Sequence, residues 1–304
     1  MAPSFAVRQQ EGTDPAMSST DLKEYTIRPL LWEELPLAKE LRLEIGFIIG
    51  THQLETLWKV DPGSIFGAVT DNGELYGMCA IPFVGTDMAH LALLGVNAKC
   101  RRQGIGKRLL NAAMEHVGTH NVYLHCLPSQ VPLFRDRHKL QVYIRELRCL
   151  GPGVPKTSEL LQSVSGVDVE SISKETLPLV VTYDECVLGC CRQKLVELGT
   201  AEPDACTAVA RRGAKRVCGY GFATSDIYGG RIVRGIFADS EEIAEALLAH
   251  LLRDVSRVIL FVQMRDTEEA YFEKKLGLKV SSTMKTLFRW PSRNGDFTKI
   301  YATS

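Results

Sequence analysis

The first 22 positions are rich in Ser, Pro, Gln and Thr and hold no apolar stretch of signal-peptide length, so residues 1–22 are expected to be a disordered leader. Alternation starts at Tyr25-Thr26-Ile27-Arg28 and stops at Pro29. Helical spacing follows through Leu35, Ala38, Leu41 and Ile45, ending near Gly46. A second helix is predicted over 51–60, stopped by Asp61-Pro62-Gly63. Strand-like runs cover 65–70, 75–84 and 90–96, the first two joined by the hairpin turn Asp71-Asn72-Gly73. A helix over 107–117 places Leu109, Leu110, Ala113, Met114 and Val117 on one face. A strand at 122–126, a short helix at 132–138 and a closing strand at 142–149 complete this half.

Gly151-Pro152-Gly153-Val154-Pro155 suits neither helix nor sheet and marks a linker over 151–166. Beyond it the pattern returns. Helices are predicted near 174–188 and 191–198, strands at 207–210, 217–222 and 231–237, and an amphipathic helix at 241–252. A strand at 258–262, a helix at 268–276 and last strands within 278–290 follow. Asn121-Val122-Tyr123-Leu124 matches Arg257-Val258-Ile259-Leu260 at the same relative place. The order ααβββαβαβ thus occurs twice. The expected fold class is α+β (mixed α/β), with two tandem domains at 23–150 and 167–304, each a central mixed sheet flanked by helices.

Charge and cysteine usage narrow the classes of function. The 304 residues carry 36 basic and 36 acidic side chains, so no basic excess points to a nucleic-acid partner. No run of 18 apolar residues suggests a membrane span. Nine cysteines, an odd number without a CxxC pair, read as reduced thiols of a cytoplasmic protein. The cluster Cys186, Cys190, Cys191 lacks the further ligands of a zinc site, so no metal is expected.

The neutral balance breaks at one place. An apolar strand, Leu91-Ala92-Leu93-Leu94-Gly95-Val96, leads through Asn97-Ala98-Lys99-Cys100-Arg101-Arg102-Gln103-Gly104-Ile105-Gly106 into the helix at Lys107. Free N–H groups and the positive dipole end at a helix start suit a phosphate, and glycines let the main chain approach it. Lys99, Arg101, Arg102, Lys107 and Arg108 crowd the same turn. The plainer alternative is a helix start with a solvated basic face. A dinucleotide fingerprint is excluded by the missing third glycine, and a Walker loop by the missing GK[ST].

The run Val96-x4-Arg101-x-x-Gly104-x-Gly106 resembles the acetyl-CoA motif of the GNAT acetyltransferase superfamily: Gln or Arg, two residues, Gly, one residue, Gly or Ala. The flanking strand and helix and the element order are similar too, from about Glu24 to Trp290, and the doubled pattern resembles tandem GNAT proteins. The resemblance implies acetyl-CoA as co-substrate, with Leu94, Gly95 and Val96 presenting backbone groups to the pantetheine arm. Arg101, Arg102, Gln103, Gly104, Ile105 and Gly106 would wrap the pyrophosphate, with Lys107 close by. Two departures stand out: Ala98 where many members have proline, and Arg102 where many have glycine, which requires an exposed Arg102 side chain.

In many GNAT enzymes a glutamate six residues ahead of the motif valine is the general base; here that position is His90, whose imidazole titrates near neutrality. The alternative is a strand-end histidine without a chemical task. The family often protonates the leaving thiolate with a tyrosine on the helix after the fifth strand. No tyrosine lies between Tyr123 and Tyr143, and Phe134 stands near the expected place. Tyr143 and His125 are the substitutes, and the thiolate can also leave without an acid. Cys126 would permit ping-pong chemistry if reactive, and is otherwise a buried strand cysteine. Gly46-Phe47-Ile48-Ile49-Gly50, with Trp32 and Trp58, lines an acceptor pocket or belongs to the core.

Aligning the two helices sets Asp239, Ser240, Glu241, Glu242 and Ala244 opposite Arg101, Arg102, Gln103, Gly104 and Gly106. Asp239 with Glu242 reads as a capping box. One carboxylate about 4 Å from a pyrophosphate costs roughly 4 kcal/mol at an effective dielectric of about 20, before screening. The second copy is therefore expected to be degenerate, either shaping the acceptor site or acting as a separate module. The functional expectation is transfer of acetyl to a primary amine, of a small molecule rather than a protein, by a monomer or homodimer. A non-catalytic acetyl-CoA sensor or scaffold is the alternative.

Overall fold

The computed structural model describes residues 22–47, 50–264, 271–290 and 295–303, apart from the side chains of residues 143–145. The expected leader lies outside the described residues but for Leu22. In chain order the strands and helices are β1 (Tyr25–Pro29), α1 (Leu35–Ile45), α2 (Gln53–Val60), β2 (Ile65–Thr70), β3 (Leu75–Ala80), β4 (Met88–His90) and β5 (Leu93–Val96). Next come α3 (Ile105–Val117), β6 (Asn121–Cys126), α4 (Val131–His138), β7 (Gln141–Gly153), β8 (Asp168–Glu170), α5 (Leu177–Leu188) and α6 (Gln193–Thr200). The chain ends with β9 (Cys206–Arg212), β10 (Arg216–Ser225), β11 (Arg231–Ala238), α7 (Glu241–Leu251), β12 (Val258–Gln263), α8 (Tyr271–Leu276), β13 (Val280–Phe288) and β14 (Ile300–Thr303).

Packing divides the chain elsewhere than the sequence suggests. One compact unit holds residues 22–47 and His52–Leu124, and the other residues 50–51 and those described within His125–Ser304. The expected break at Gly151-Pro152-Gly153 is not a break, because β7 runs through it. Val258 pairs with Gly153 and Leu260 with Leu150, so Gly151 and Pro152 bulge out of the ladder there. At a bulge a proline forfeits no ladder bond, which is why sheet structure tolerates it. β7 pairs with β12 on one side and β13 on the other, and so belongs to the second unit.

In the first unit β1, β2, β3 and β5 form an antiparallel sheet in that order, and β4 pairs in parallel with β6. α3 buries Ile105, Leu109, Leu110, Ala113 and Val117 on one face, as the spacing requires. A Cβ on Gly77 would touch Leu109, and one on Gly95 would run into Ile45, so α3 and α1 cover opposite faces of β3 and β5. In the second unit the neighbours run β13-β7-β12-β14-β11-β10-β9-β8. One core joins Ile243, Leu247 and Leu251 of α7 to Ala210, Cys218 and Ile236; another joins Val180 and Tyr183 of α5 to Tyr220 and Phe237.

Glu245 ties α7 to two other segments. Its side chain is 1% exposed, and it accepts the Leu161 N–H at 2.8 Å, the Lys275 ammonium at 2.6 Å and the Tyr271 hydroxyl. Removing this carboxylate strands a cation and an amide beside an apolar core. Glu245→Ala is expected to cost the second unit roughly 3 kcal/mol, read from the urea midpoint followed by near-UV circular dichroism.

Candidate active site

Residues 90–96, expected as one strand, are two. Ala92 N donates to Ala80 O at 2.9 Å although Leu93 is the ladder partner of Ala80, so two residues face one in a β-bulge. Before the bulge, β4 pairs with β6 through Met88↔Asn121, Ala89↔Val122 and His90↔Tyr123, and Leu91 N donates to Tyr123 O. After it, β5 pairs with β3 and is the edge of its sheet. Asn97 N donates to Tyr76 O at 2.9 Å, and bonded positions alternate along an antiparallel ladder. Leu93, Gly95 and Asn97 therefore turn their amides to β3, while Leu94 and Val96 turn theirs to the open edge. This corrects the expectation for Gly95: its backbone is spent on β3, and it is glycine because Ile45 of α1 lies where a Cβ would be.

Past Val96 the Asn97 side chain accepts the Lys99 N–H at 3.0 Å, and Arg101 Nε donates to Val96 O at 3.1 Å. Arg102 takes φ 66°, a conformation that favours glycine, and its side chain is exposed. Gly104 takes φ 79° as the N-cap of α3, and no side chain caps this helix. Its first N–H groups therefore await another acceptor. A Cβ on Gly106 would meet only Val96 Cγ2, at 3.5 Å, so nothing inside the chain demands glycine there. Among the described residues no carboxylate pairs with the exposed Lys99, Arg101, Arg102 or Lys107. Arg108 instead covers the Tyr25 ring at 4.7 Å. The arrangement suits an extended, amide-bearing group along β5 that ends in an anion at α3.

His90 occupies the last β4–β6 pair before the strands part. It is 8% exposed, and its ring stacks on that of Tyr123 at 4.3 Å and 1°. No local pattern announces this partner, because the stacking depends on strand register.

The other candidates fare differently. His125 lies 3.0 Å from Thr286 Oγ1 through Nδ1, and burial pushes its pKa down to about 4, so it holds no second proton to give at neutral pH. Burial also pushes the Cys126 thiol up to about 11, which argues against a nucleophilic thiolate. The side chain of Tyr143 lies outside the described residues, and Phe134 is buried on α4. Trp32 and Trp58 pack edge to face at 5.2 Å. Residues 48–49 of the expected acceptor loop lie outside the described residues; Gly50 bridges to Asp226, and Thr51 N donates to Ser225 O at 2.9 Å.

The second unit repeats the bulge. β10 and β11 slip register between Phe222↔Gly235 and Ala223↔Val233, and Asp239 N donates to Cys218 O at 2.8 Å. Tyr76 thus corresponds to Cys218 and Asn97 to Asp239, which sets Ile232 opposite His90 and Ile236 opposite Leu94. Eight residues (97–104) separate β5 from α3, but two (239–240) separate β11 from α7. The helix-based alignment from sequence is therefore corrected: Arg101–Gln103 has no counterpart, the N-cap Gly104 stands opposite the N-cap Ser240, and Glu242 stands opposite Gly106. The cap is also Ser240 rather than Asp239, since Ser240 Oγ accepts the Ile243 N–H; Asp239 instead accepts from Tyr183 Oη at 3.0 Å.

Residues 25–135 match the acetyltransferase (GNAT) family, and residues 180–302 a second acetyltransferase (GNAT) domain family. The chain belongs to the GNAT acetyltransferases, as a tandem protein. Among solved structures, a Pyrococcus horikoshii chain assigned as an acetyltransferase is 16% identical, with a TM-score of 0.72 over 93% of this chain and 95% of its own. A GCN5-related N-acetyltransferase from Sphaerobacter thermophilus gives 14%, 0.58, 90% and 98%. A tandem GNAT protein from the clavulanic acid biosynthesis pathway gives 15%, 0.57, 89% and 100%. At these identities the likeness is one of fold. No curated protein matches the chain by sequence. Among the described residues of this tandem GNAT protein, no helix is long and apolar enough to cross a membrane, and no group of His, Cys, Asp and Glu is placed to hold a metal.

Buried His125 makes stability depend on pH. Unfolded, it binds a proton near pH 6.5; folded, it resists protonation down to about 4. Its stabilising effect is thus complete above 6.5 and lost as pH falls from 6.5 toward 4. His125→Gln is expected to flatten the fall of the urea midpoint over that window by about one proton's worth of slope.

Proposed function

We propose that this chain is an acetyl-CoA-dependent N-acetyltransferase that holds one acetyl-CoA, in its first copy, and passes the acetyl group to a primary amine of a small molecule by direct attack. The observation that carries this reading is the open edge of β5 running into an uncapped helix start, among cations that no described carboxylate pairs. Acetyl-CoA would supply an activated thioester carbonyl. Leu94 and Val96 would offer backbone groups to the pantetheine arm. Arg101 through Gly106, with Lys107, would hold the pyrophosphate, and the Arg101 guanidinium would give up Val96 O for it. His90, with its ring plane set by Tyr123, would take the proton of the attacking amine. Among the described side chains neutral His125 and the hydroxyl-free Phe134 supply no acid, which leaves water or Tyr143, whose side chain lies outside the described residues, to protonate the departing thiolate.

The lack of an acid among the described side chains favours a second reading, a CoA-binding sensor without turnover. A protein amine as acceptor keeps the chemistry; the chain's zero net charge and the apolar α1–α2 loop favour a small molecule. No nucleic-acid or membrane partner is proposed. The tandem copies can replace the common GNAT dimer, so a monomer is proposed over a homodimer. Nine free thiols fit a reducing, cytoplasmic setting.

Calorimetry with acetyl-CoA followed by thiol release over an amine panel separates the readings. Binding without turnover on any amine supports the sensor, and absence of binding removes both. A Cβ at Gly106 meets only Val96 Cγ2, at 3.5 Å, so Gly106→Leu, which sets a side chain in the proposed path of the pyrophosphate, is expected to weaken CoA at least tenfold (about 1.4 kcal/mol) with a melting temperature close to that of the wild type. His90→Ala is expected to lower turnover about 100-fold with CoA affinity kept. Unchanged turnover would end the assignment of His90 as base.

A further inference from the structure

Parallel strands that part leave backbone groups facing the gap. In the second unit β11 and β12 pair over Arg231↔Val258, Ile232↔Ile259 and Val233↔Leu260, as many pairs as join β4 to β6, and then separate. That gap is filled. β14 runs antiparallel to both strands, with Ala302 opposite Ile236 on one side and Val262 on the other. Ile236 is the counterpart of Leu94, whose backbone faces the open edge of β5.

We propose that β14 occupies, in the second copy, the slot that receives the pantetheine arm in the first, so the chain closes its degenerate acyl-CoA groove with its own C-terminal strand. The chemistry assigned to the slot rests on the acetyl-CoA reading above. A pantetheine arm is an extended chain with two amides, and a short strand offers the same donors and acceptors at similar spacing.

The packing around β14 makes it a fixed part of the unit. Ile300, Tyr301 and Ala302 are at most 5% exposed. Ile300 joins the core beneath α5, while Tyr301 and Ala302 join the core beneath α7, with the Tyr301 ring 6.1 Å from that of Phe272. Just before the strand, Lys299 Nζ lies 3.0 Å from Asp239 and 3.7 Å from Asp296. Asp239 corresponds to Asn97, where the first copy begins its phosphate loop. The polarity is therefore reversed: the first copy sets cations for an external anion, and the second sets a carboxylate for the cation of its own tail. Gly295 lies against the end of α5, where a Cβ would come within 2.9 Å of the Val187 and Leu188 carbonyl oxygens.

Hydrogen–deuterium exchange on the full chain tests this, comparing wild type with Ala302→Pro, which breaks the strand, and Lys299→Glu, which leaves the strand and breaks its ionic clasp and the contact of Lys299 with the Tyr183 ring. Peptides covering 234–238 and 259–263 are expected to exchange at least tenfold faster in Ala302→Pro and about threefold faster in Lys299→Glu, with 76–80 and 93–96 unchanged. A synthetic peptide of residues 296–303 should restore protection in Ala302→Pro, and millimolar pantetheine should compete with it. Unchanged exchange, or no response to the peptide, overturns the proposal. Peptide rescue that pantetheine does not oppose overturns the assignment of the slot. If Ala302→Pro also exposes α7, Lys299→Glu decides alone. Calorimetry of wild type keeps the two readings apart: a second equivalent of CoA ends this inference, whereas no CoA bound ends the acetyl-CoA reading and leaves the exchange result standing.

Discussion

A single extra residue, Ala92, lets one chain segment serve two partners, β6 through Met88–His90 and β3 through Leu93–Val96. A regular strand between the same neighbours would have satisfied both edges and left nothing to offer. With the bulge, the ladder to β6 ends at Tyr123 and the amides of Leu94 and Val96 face outward. The rest of the site hangs on that break. Asn97 returns to the β3 ladder, which fixes where the basic loop leaves the sheet. Ile45 against Gly95 on one face, and Leu109 against Gly77 on the other, hold the split strand between α1 and α3. His90 sits at the fork because the last β4–β6 pair does.

Both copies carry the bulge, so both face the same problem of backbone groups turned to a gap, and each meets it differently. The first adds a loop of eight residues that ends in bare, uncapped helix backbone. The second reduces the connection to two residues, caps α7 with Ser240 and fills the gap with β14. Replacing His90 by Ile232, and Gly106 by Glu242, fits the same pattern. At the fork a titratable group is kept where chemistry is proposed and gives way to an apolar one where the gap is sealed, and at the helix start bare backbone gives way to a carboxylate.

The loop was legible in the sequence because its signal is local: cations, two glycines and a helix start within ten residues of an otherwise neutral chain. The repeat was legible because periodicity survives divergence; the matched tetrapeptides at Asn121 and Arg257 sit in corresponding strands. What failed depends on distant partners. Leu91-Ala92-Leu93-Leu94 is a continuous apolar run, and only the register against Ala80 shows that it breaks. Gly151-Pro152 reads as a terminator unless the bulge against β12 is known. β14 is four residues long, too short for a period to declare itself, and its placement comes from two strands more than 35 residues earlier. The misplaced cap at Asp239 had the same origin, since its carboxylate is engaged by Tyr183 and Lys299 from other elements.

A basic, uncapped loop of this kind works against the stability of the fold that carries it. Arg102 at positive φ, glycine in the first turn of α3 and the lack of a side-chain cap each cost on the order of 1 kcal/mol relative to the ordinary choice. Lys99, Arg101, Arg102 and Lys107 add mutual repulsion without a carboxylate among the described residues to relieve it. Nothing described within the unit returns that free energy, and the proposed acetyl-CoA would do so, because its binding would stabilise the folded unit by mass action. A copy that bound no anion would have no such compensation. There every substitution that caps the helix, shortens the loop or pairs the open edge lowers the free energy of the fold. Ser240, the two-residue connection and β14 are those three changes, and with them the second copy keeps the architecture of the first while satisfying its helix start and strand edge from within.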